Sequence, residues 1–410
     1  MNVRRSAAVL AATAVIGTAA PAVAASPSPS PSVVIPEGLY GGGDPTYDGV
    51  WRQSLALLAQ DTVGVVPAAG AVDWLTGQQC ANGAFAPFRA DTAKACAPAL
   101  LIDTNSTAAA VQALAALGGH DTATGKAVTW LKSVQNKDGG WGYTPGGASD
   151  ANSTSVVIGA LTAAGEKPAA VVQGGKSPYD ALLTFALPCA GDGGGAFAYQ
   201  PDKKGKLAAN ADATAAAVVG ALGKGLAGAP EKPTGTTLTC KDATDPEQGA
   251  ENGAAYLVKA LAKDGHLTSA LPGSEDQPDY GNTADAVLAL ATAGQGDKAA
   301  DSVRWLEANF EQWAQQSGPA AYAQLILAAE ADAFDARDFG GQDLVKLLNA
   351  TGPTPEKVPS AAESASPGAD DEAAEKDDEG VSVWWVVGVG LVGGIGVGFL
   401  ISGRKKKQQP

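Results

Sequence analysis

Polar side chains recur at short, regular spacing before four apolar stretches of the chain. Each set holds two Asp or Asn residues and then a threonine: Asp103-x-Asn105-x-Thr107, Asp150-x-Asn152-x-Thr154, Asn210-x-Asp212-x-Thr214 and Asp279-x-x-Asn282-Thr283. One residue of each set could cap a helix, because Asp and Asn side chains accept from its free N–H groups. Capping leaves the second polar residue unexplained. We therefore expect these carboxylates and amides to converge on a small-molecule site.

A calcium site is the alternative chemistry for two of these sets. Asp103 with Asn105, or Asp150 with Asn152, would supply the oxygen ligands that calcium prefers. The small-molecule site remains the favoured interpretation, and we predict no metal and no cofactor.

The elements that must position these residues are helices of two kinds. The first kind is apolar on nearly every side, as expected for a helix buried on both faces, and covers residues 46–58, 107–117, 154–161, 214–222, 283–290 and 321–329. Amphipathic partners are expected near residues 68–79, 124–135, 177–187, 250–262, 299–312 and 340–349.

Sequential helix pairs stack side by side, and six pairs are enough to close into a ring of two concentric layers. We therefore predict an all-α fold, an α6/α6 toroid over residues 37–351; an open helical array is the alternative. The apolar helices would run parallel inside the ring, so their polar starts would meet at one mouth. Tyr47, Trp51 and Tyr322 are the only aromatic residues on these inner helices and join the predicted ligand-binding set.

A repeated motif links the amphipathic helices to the turns that follow them. Its fullest copy has Trp130-Leu131, Gln135, Gly139 and Trp141, and an earlier copy has Trp74-Leu75, Gln79, Gly83 and Phe85. The motif resembles the QW motif of the squalene–hopene cyclase and protein prenyltransferase superfamily, which implies an α/α toroid over about residues 38–350. The helix pattern also resembles the toroid of the transcobalamin and intrinsic-factor cobalamin carriers.

The catalytic motifs of the resembled enzymes are missing from the predicted toroid. It has no Asp-x-Asp-Asp acid, and the run Asp370-Asp371-Glu372 falls in a linker. The zinc set of the prenyltransferases has no counterpart around His120 or His266. The sequence therefore predicts no catalytic residue.

Charge and composition exclude two further classes. The chain has 28 basic and 43 acidic residues, a net charge of −15, whereas a nucleic-acid binder needs a basic face. Two histidines in 410 residues also disfavour histidine-based catalysis.

The two ends of the chain predict its compartment. Residues 1–25 are typical of a signal peptide and residues 26–36 of a Ser/Pro linker. An acidic tether over 352–380 precedes an apolar run over 381–403, long enough to span a membrane. The basic tail 404–410 predicts a cytoplasmic C-terminus and an extracytoplasmic toroid. Gly390, Gly394 and Gly398 would let a membrane partner approach closely.

Four cysteines in an oxidising compartment favour two disulfides over free thiols. Spacing alone leaves three pairings open. We favour Cys80 with Cys96 and Cys189 with Cys240, because each pair would close one loop beside one repeat.

These observations favour a non-catalytic, membrane-tethered protein that captures a small ligand, with a corrinoid suggested by the carrier resemblance. A cyclase or prenyltransferase with an unconventional acid, from among Asp103, Asp150 and Asp212, is the first alternative. An adaptor for a membrane complex is the second.

Overall fold

Alternate helices of the chain form an inner layer that is buried on nearly every side. These helices are α1 (Gly49–Thr62), α3 (Thr104–Leu117), α5 (Ala151–Ala163), α7 (Ala211–Ala221), α9 (Tyr280–Thr292) and α11 (Pro319–Ala331). Each packs against the next one, and α11 packs back against α1. Their many Ala, Val and Leu side chains permit this close packing on both faces. The ring is therefore closed, as an α/α toroid requires.

The intervening helices cover the outside of this ring. They are α2 (Ala69–Gly77), α4 (Asp121–Ser133), α6 (Pro178–Leu183), α8 (Pro246–Leu261), α10 (Ala300–Ser317) and α12 (Leu344–Asn349). A two-stranded antiparallel pair, β1 (Leu267–Thr268) and β2 (Pro278–Asp279), precedes α9. Helix α8 begins earlier than its sequence pattern predicts, because Asp245 caps it and Pro246 occupies its first position.

Our computed structural model describes residues 34–235, 237–270 and 276–359. The helices above belong to the unit that begins at Ile35. The predicted signal peptide, membrane span, basic tail and most of both linkers lie outside the described residues. Within the described ranges, no helix combines the length and hydropathy needed to cross a membrane.

A buried threonine in the first turns of an inner helix fixes the preceding turn to that helix. Thr107, Thr154 and Thr214 accept hydrogen bonds from the backbone N–H groups of Phe85, Trp141 and Phe197 at 3.0, 3.2 and 2.9 Å. Thr283 accepts from Leu267 N at 3.0 Å in the same way. The four hydroxyls, which we call the threonine bridges, set where each turn ends and each inner helix begins.

The Gln and Gly of the repeated motif tie each turn to the next repeat. Gln79 Nε2 donates to Gly83 O at 2.9 Å and to Ala123 O at 2.8 Å. Gln135 makes the equivalent bonds to Gly139 and Val171. Gly139 has a φ of +91°, and a Cβ there would lie 2.2 Å from Ser177 O, so only glycine fits. The motif is therefore a structural joint between repeats.

Two disulfides close loops beside the repeats. Cys80 pairs with Cys96 and Cys189 pairs with Cys240, which confirms the pairing favoured from the sequence. The first closes the turn between α2 and α3, and the second joins the turn before α7 to the segment that follows it.

Replacing Thr214 by valine removes a threonine bridge while keeping the side-chain shape. The buried N–H of Phe197 then loses its acceptor, which is expected to lower the free energy of unfolding by ~1–3 kcal/mol. Denaturant unfolding of the purified protein measures the change. Thr129→Val is the control, because the Thr129 hydroxyl is exposed on α4 and bonds only within its helix. An equal loss in both variants would contradict a special role for the bridge.

Candidate active site

The interior of the ring holds a pocket with a volume of about 220 Å³. All six inner helices described above contribute to its wall, together with the segment that follows α7. The lining residues are Trp51, Leu55, Asn105, Asn152, Ser155, Val156, Asp212, Ala215, Ala216, Val219, Lys224, Gly225, Leu226, Asp285, Leu288, Gln324 and Leu327. Most of them are apolar, and the polar ones other than Lys224 lie in the first two turns of the inner helices. We call that end of the ring the mouth.

The first residue of each polar set caps its own helix. Asp103 accepts from Ser106 N at 2.6 Å and Ser106 Oγ at 2.8 Å, and Asp150 makes the same bonds to Ser153. Asn210 accepts from Ala213 N at 2.8 Å. These three predicted site residues do not line the pocket.

The polar residues of the fourth set, Asp279 and Asn282, also make their hydrogen bonds within their own helix. Asp279 caps the helix by accepting from Asn282 N at 3.1 Å and from Asn282 Nδ2 at 2.7 Å. Asp279 and Asn282 therefore bond to each other and do not line the pocket. The negative charge of Asp279 nevertheless acts on the carboxylates inside it.

The second residues of the first three sets do line the pocket. Asn152 Nδ2 donates to Asp212 Oδ2 at 2.8 Å, joining α5 to α7. The Oδ1 atoms of Asn105 and Asn152 are buried and have no hydrogen-bond partner among the described residues. These atoms therefore remain free to accept a hydrogen bond from a bound molecule.

The three predicted aromatic residues have different surroundings. Trp51 lines the pocket, next to Leu55 on α1. Tyr47 precedes α1 and is 77% exposed, and Tyr322 is buried in the core of α11. Only Trp51 can offer an aromatic face to a molecule in the pocket.

Asp285 is the functional residue that our sequence analysis missed. It lies in the second turn of α9 and lines the pocket. Gln324 Nε2 on α11 approaches its two carboxyl oxygens at 3.3 and 3.4 Å. Burial, which is the largest cause, and the charges of Asp212 and Asp279 together raise the pKa of Asp285 to about 7, against the opposing hydrogen bond from Gln324. This carboxyl is therefore substantially protonated near neutral pH.

Asp212 differs from Asp285 in its hydrogen bonding. Burial raises the pKa of Asp212 too, but the hydrogen bond from Asn152 favours its charged form. The pocket thus holds two carboxyl groups with different hydrogen-bond partners, Asn152 for Asp212 and Gln324 for Asp285. Two carboxyl groups whose surroundings separate their pKa values are a common basis for acid catalysis.

A sequence signal for Asp285 did exist. It is a carboxylate inside the otherwise apolar stretch 283–290, as Gln324 is a polar residue inside 321–329. Treating these stretches as uniformly apolar concealed that one side of each helix faces a cavity.

Comparison with known families gives a match over part of the chain. Residues 45–220 match the model of the prenyltransferase alpha-alpha toroid domain. Over these residues, which are less than half of the chain, the protein is similar to that domain. The match spans α1 to α7, and Asp285 lies beyond it.

A curated relative matches one segment of the chain. Drimenyl diphosphate synthase from Streptantibioticus cattleyicolor is 40% identical over 80 residues, which is 20% of this chain and 13% of that enzyme. The chain thus covers a small part of this relative's length.

Solved structures with a similar arrangement include two named enzymes. The ent-copalyl diphosphate synthase from Streptomyces platensis has a TM-score of 0.45 and 16% identity over 69% of this chain and 50% of that chain. The type II terpene cyclase MstE from Scytonema has a TM-score of 0.30 and 17% identity, and the match covers 66% of this chain and 81% of that chain. A protein from Actinoplanes has a TM-score of 0.46 and 16% identity, and the match covers 72% of this chain and 94% of that chain.

These findings show that the expectation of a non-catalytic capture protein, including the suggestion of a corrinoid ligand, is wrong. The curated relative that matches the chain is an enzyme, a drimenyl diphosphate synthase. The physical reason for the error is that Asp103, Asp150 and Asn210 satisfy their own helices. The residue with acid chemistry, Asp285, was absent from the predicted set.

The pKa of Asp285 predicts a specific dependence of stability on pH. Its value is raised from 3.8 to about 7 on folding, so the protonated carboxyl stabilises the fold at low pH. That contribution is lost as the pH rises through about 7. The Asp285→Asn variant has a neutral side chain at every pH. Its free energy of unfolding relative to the wild type should therefore increase between pH 3.8 and about pH 7 and stay constant above pH 7. Chemical denaturation at each pH measures the difference.

Asp332 provides the matched control, because its pKa is also raised to about 7 and it lies outside the pocket. In ¹³C NMR of the aspartate-labelled protein, each Asn substitution should remove one carboxyl signal that titrates near pH 7. A carboxyl of Asp285 that titrates near its ordinary value would contradict the electrostatics described here.

Proposed function

We propose that the chain is a terpene cyclase-type enzyme that starts its reaction by protonating an alkene with Asp285. The observation that carries the proposal is a carboxyl with a pKa of about 7 on the wall of a largely apolar pocket. The domain family and the curated synthase relative support the same reaction class. We do not assign the acid to Asp103 or Asp150, because they do not line the pocket and their carboxyl groups cap their own helices.

The proposed step transfers one proton from the Asp285 carboxyl to an alkene carbon. A C–H bond forms, the π bond breaks, and Asp285 is left as a carboxylate beside a carbocation. A second alkene of the same molecule supplies the electron pair that closes a ring. Loss of a proton from a neighbouring carbon then restores an alkene and returns the proton to Asp285. The reaction is a net isomerisation and needs no oxidant or co-reactant.

The remaining wall residues have separate tasks in this scheme. Leu55, Val156 and Leu288 exclude water that would trap a cation early. Trp51 can stabilise positive charge through its aromatic face. Gln324 holds the carboxyl of Asp285 from α11, and the Asp212 carboxylate provides further electrostatic stabilisation of the cation.

Two broader features belong to the same proposal. We propose that the toroid consists of six inner–outer helix pairs, since each inner helix of the described chain precedes an outer one. The two disulfides support a toroid that works in an oxidising compartment, because such bonds are rare in the cytosol.

Asp285→Asn is expected to lower the rate of cyclisation by about 10²–10⁴-fold, since it removes the acid while keeping the side-chain size. The full-length protein is incubated in D₂O with linear isoprenoids supplied as the hydrocarbon, the alcohol and the diphosphate. Gas chromatography with mass spectrometry should detect a cyclic product that carries deuterium from the protonation step.

Asp332→Asn is the control and should leave the rate unchanged, because Asp332 lies outside the pocket. A cyclic product formed equally fast by the Asp285→Asn variant would disprove the assignment of the acid. No cyclic product from any of the three forms of substrate would disprove the proposed activity.

A further inference from the structure

The end of the pocket opposite the mouth is lined by the segment that follows α7. Lys224, Gly225 and Leu226 of this segment line the pocket, whereas Asp212 lines it from the first turn of the same helix. Helix α7 has 11 residues, so its ends are separated by about 16 Å at a rise of about 1.5 Å per residue. We call residues 224–228 the floor segment.

One buried side chain holds the floor segment in place. Gln112 on α3 is 3% exposed, and its Oε1 accepts from Leu226 N at 2.7 Å. Its Nε2 donates to Val156 O on α5 at 2.9 Å. Gln112 therefore anchors the floor to two inner helices, although it lies within a helix that is otherwise rich in alanine.

Glycines allow the floor to approach these helices closely. A Cβ at Gly159 on α5 would lie 2.6 Å from Gly225 Cα, and a Cβ at Gly225 would lie 2.3 Å from Gln112 Oε1. The backbone contact excludes a side chain at Gly159, and a side chain at Gly225 would displace the amide of Gln112. The backbone of the floor segment is thus fixed against α3 and α5.

The other end of the floor segment rests on α9, the helix that carries Asp285. A Cβ at Gly228 would lie 2.7 Å from Thr292 Oγ1 and 3.1 Å from two side-chain carbons of Leu288. Ala229 N donates to Thr292 Oγ1 at 3.3 Å. The segment consequently crosses the ring from α3 and α5 to α9, and Leu226 is the large apolar side chain that it presents to the pocket.

We propose that the floor segment, through Leu226, limits the length of the hydrocarbon chain that the pocket accepts. This inference depends on the proposed function for its substrate class, an isoprenoid alkene. In another protein a cavity of about 150 Å³ accommodates benzene, so a volume of 220 Å³ suits a chain on the order of ten carbons. A longer chain would be stopped by Leu226 and leave its remainder in water at the mouth.

Binding of geraniol, farnesol and geranylgeraniol, which differ by one isoprene unit each, tests the proposal. Calorimetric titration of the full-length wild type should show little gain in affinity beyond geraniol. Leu226→Ala deepens the pocket, so its affinity for farnesol relative to geraniol should rise about fourfold for each additional methylene buried. Leu226→Phe raises the floor and should weaken the binding of geraniol itself.

Leu347→Ala is the matched control, because Leu347 is a half-buried leucine packed on the core outside the pocket. It should leave the ratio of farnesol to geraniol affinity as in the wild type. Thermal unfolding of each variant verifies that it is folded. An unchanged ratio in both Leu226 variants, or an equal change in the control, would overturn the proposal.

The same experiment separates this inference from the proposed function. A changed ratio without any turnover by the wild type supports the floor and disproves the cyclase activity. Turnover that depends on Asp285, together with an unchanged ratio, disproves the floor alone. If the wild type binds none of the three alcohols, the floor is disproved, and the turnover assay with all three forms of substrate decides the cyclase activity separately.

Discussion

The structure depends on the hydrogen bonds that the buried threonines make across each turn. Thr107, Thr154 and Thr214 are fully buried, and each accepts a hydrogen bond from the backbone N–H of an aromatic residue 22, 13 or 17 residues earlier in the chain. A buried N–H without an acceptor is costly, so the position of each hydroxyl determines where the turn must end. Because these bonds recur from repeat to repeat, the inner helices begin at similar levels and their polar starts meet at one mouth.

Because the inner helices begin at a similar level, the position of a polar residue within its helix decides whether it can line the pocket. A residue directly before the helix, such as Asp103 or Asp150, meets free N–H groups and is used as a cap. A residue two positions later, such as Asn152 or Asp212, has passed the cap and lines the pocket. The position of a polar residue relative to the start of its helix therefore separates the carboxylates that cap a helix from those that line the pocket.

The fold could largely be predicted from the sequence, but the position of Asp285, the proposed acid, could not. Apolar and amphipathic stretches alternate along the chain, and Gln135, Gly139 and Trp141 mark a joint that the structure reproduces. The pattern of apolar residues along a helix, however, shows only how much of that helix is buried. It does not show that one side of α9 faces a cavity rather than a neighbouring helix, so Asp285 was not recognised. The floor segment was missed because its role depends on Gln112, more than a hundred residues earlier in the chain.

The difference between Asp212 and Asp285 follows from their positions along their helices. The N-terminal partial charge of a helix favours a nearby carboxylate, but its effect fades within the first turn. Asp212 lies in the first turn of α7 and receives a short hydrogen bond from Asn152. Asp285 lies in the second turn of α9, beyond that influence, and has only the longer contacts from Gln324. Burial is therefore less compensated at Asp285 than at Asp212, which is why the pKa of Asp285 is raised to about 7 and why we propose it as the acid.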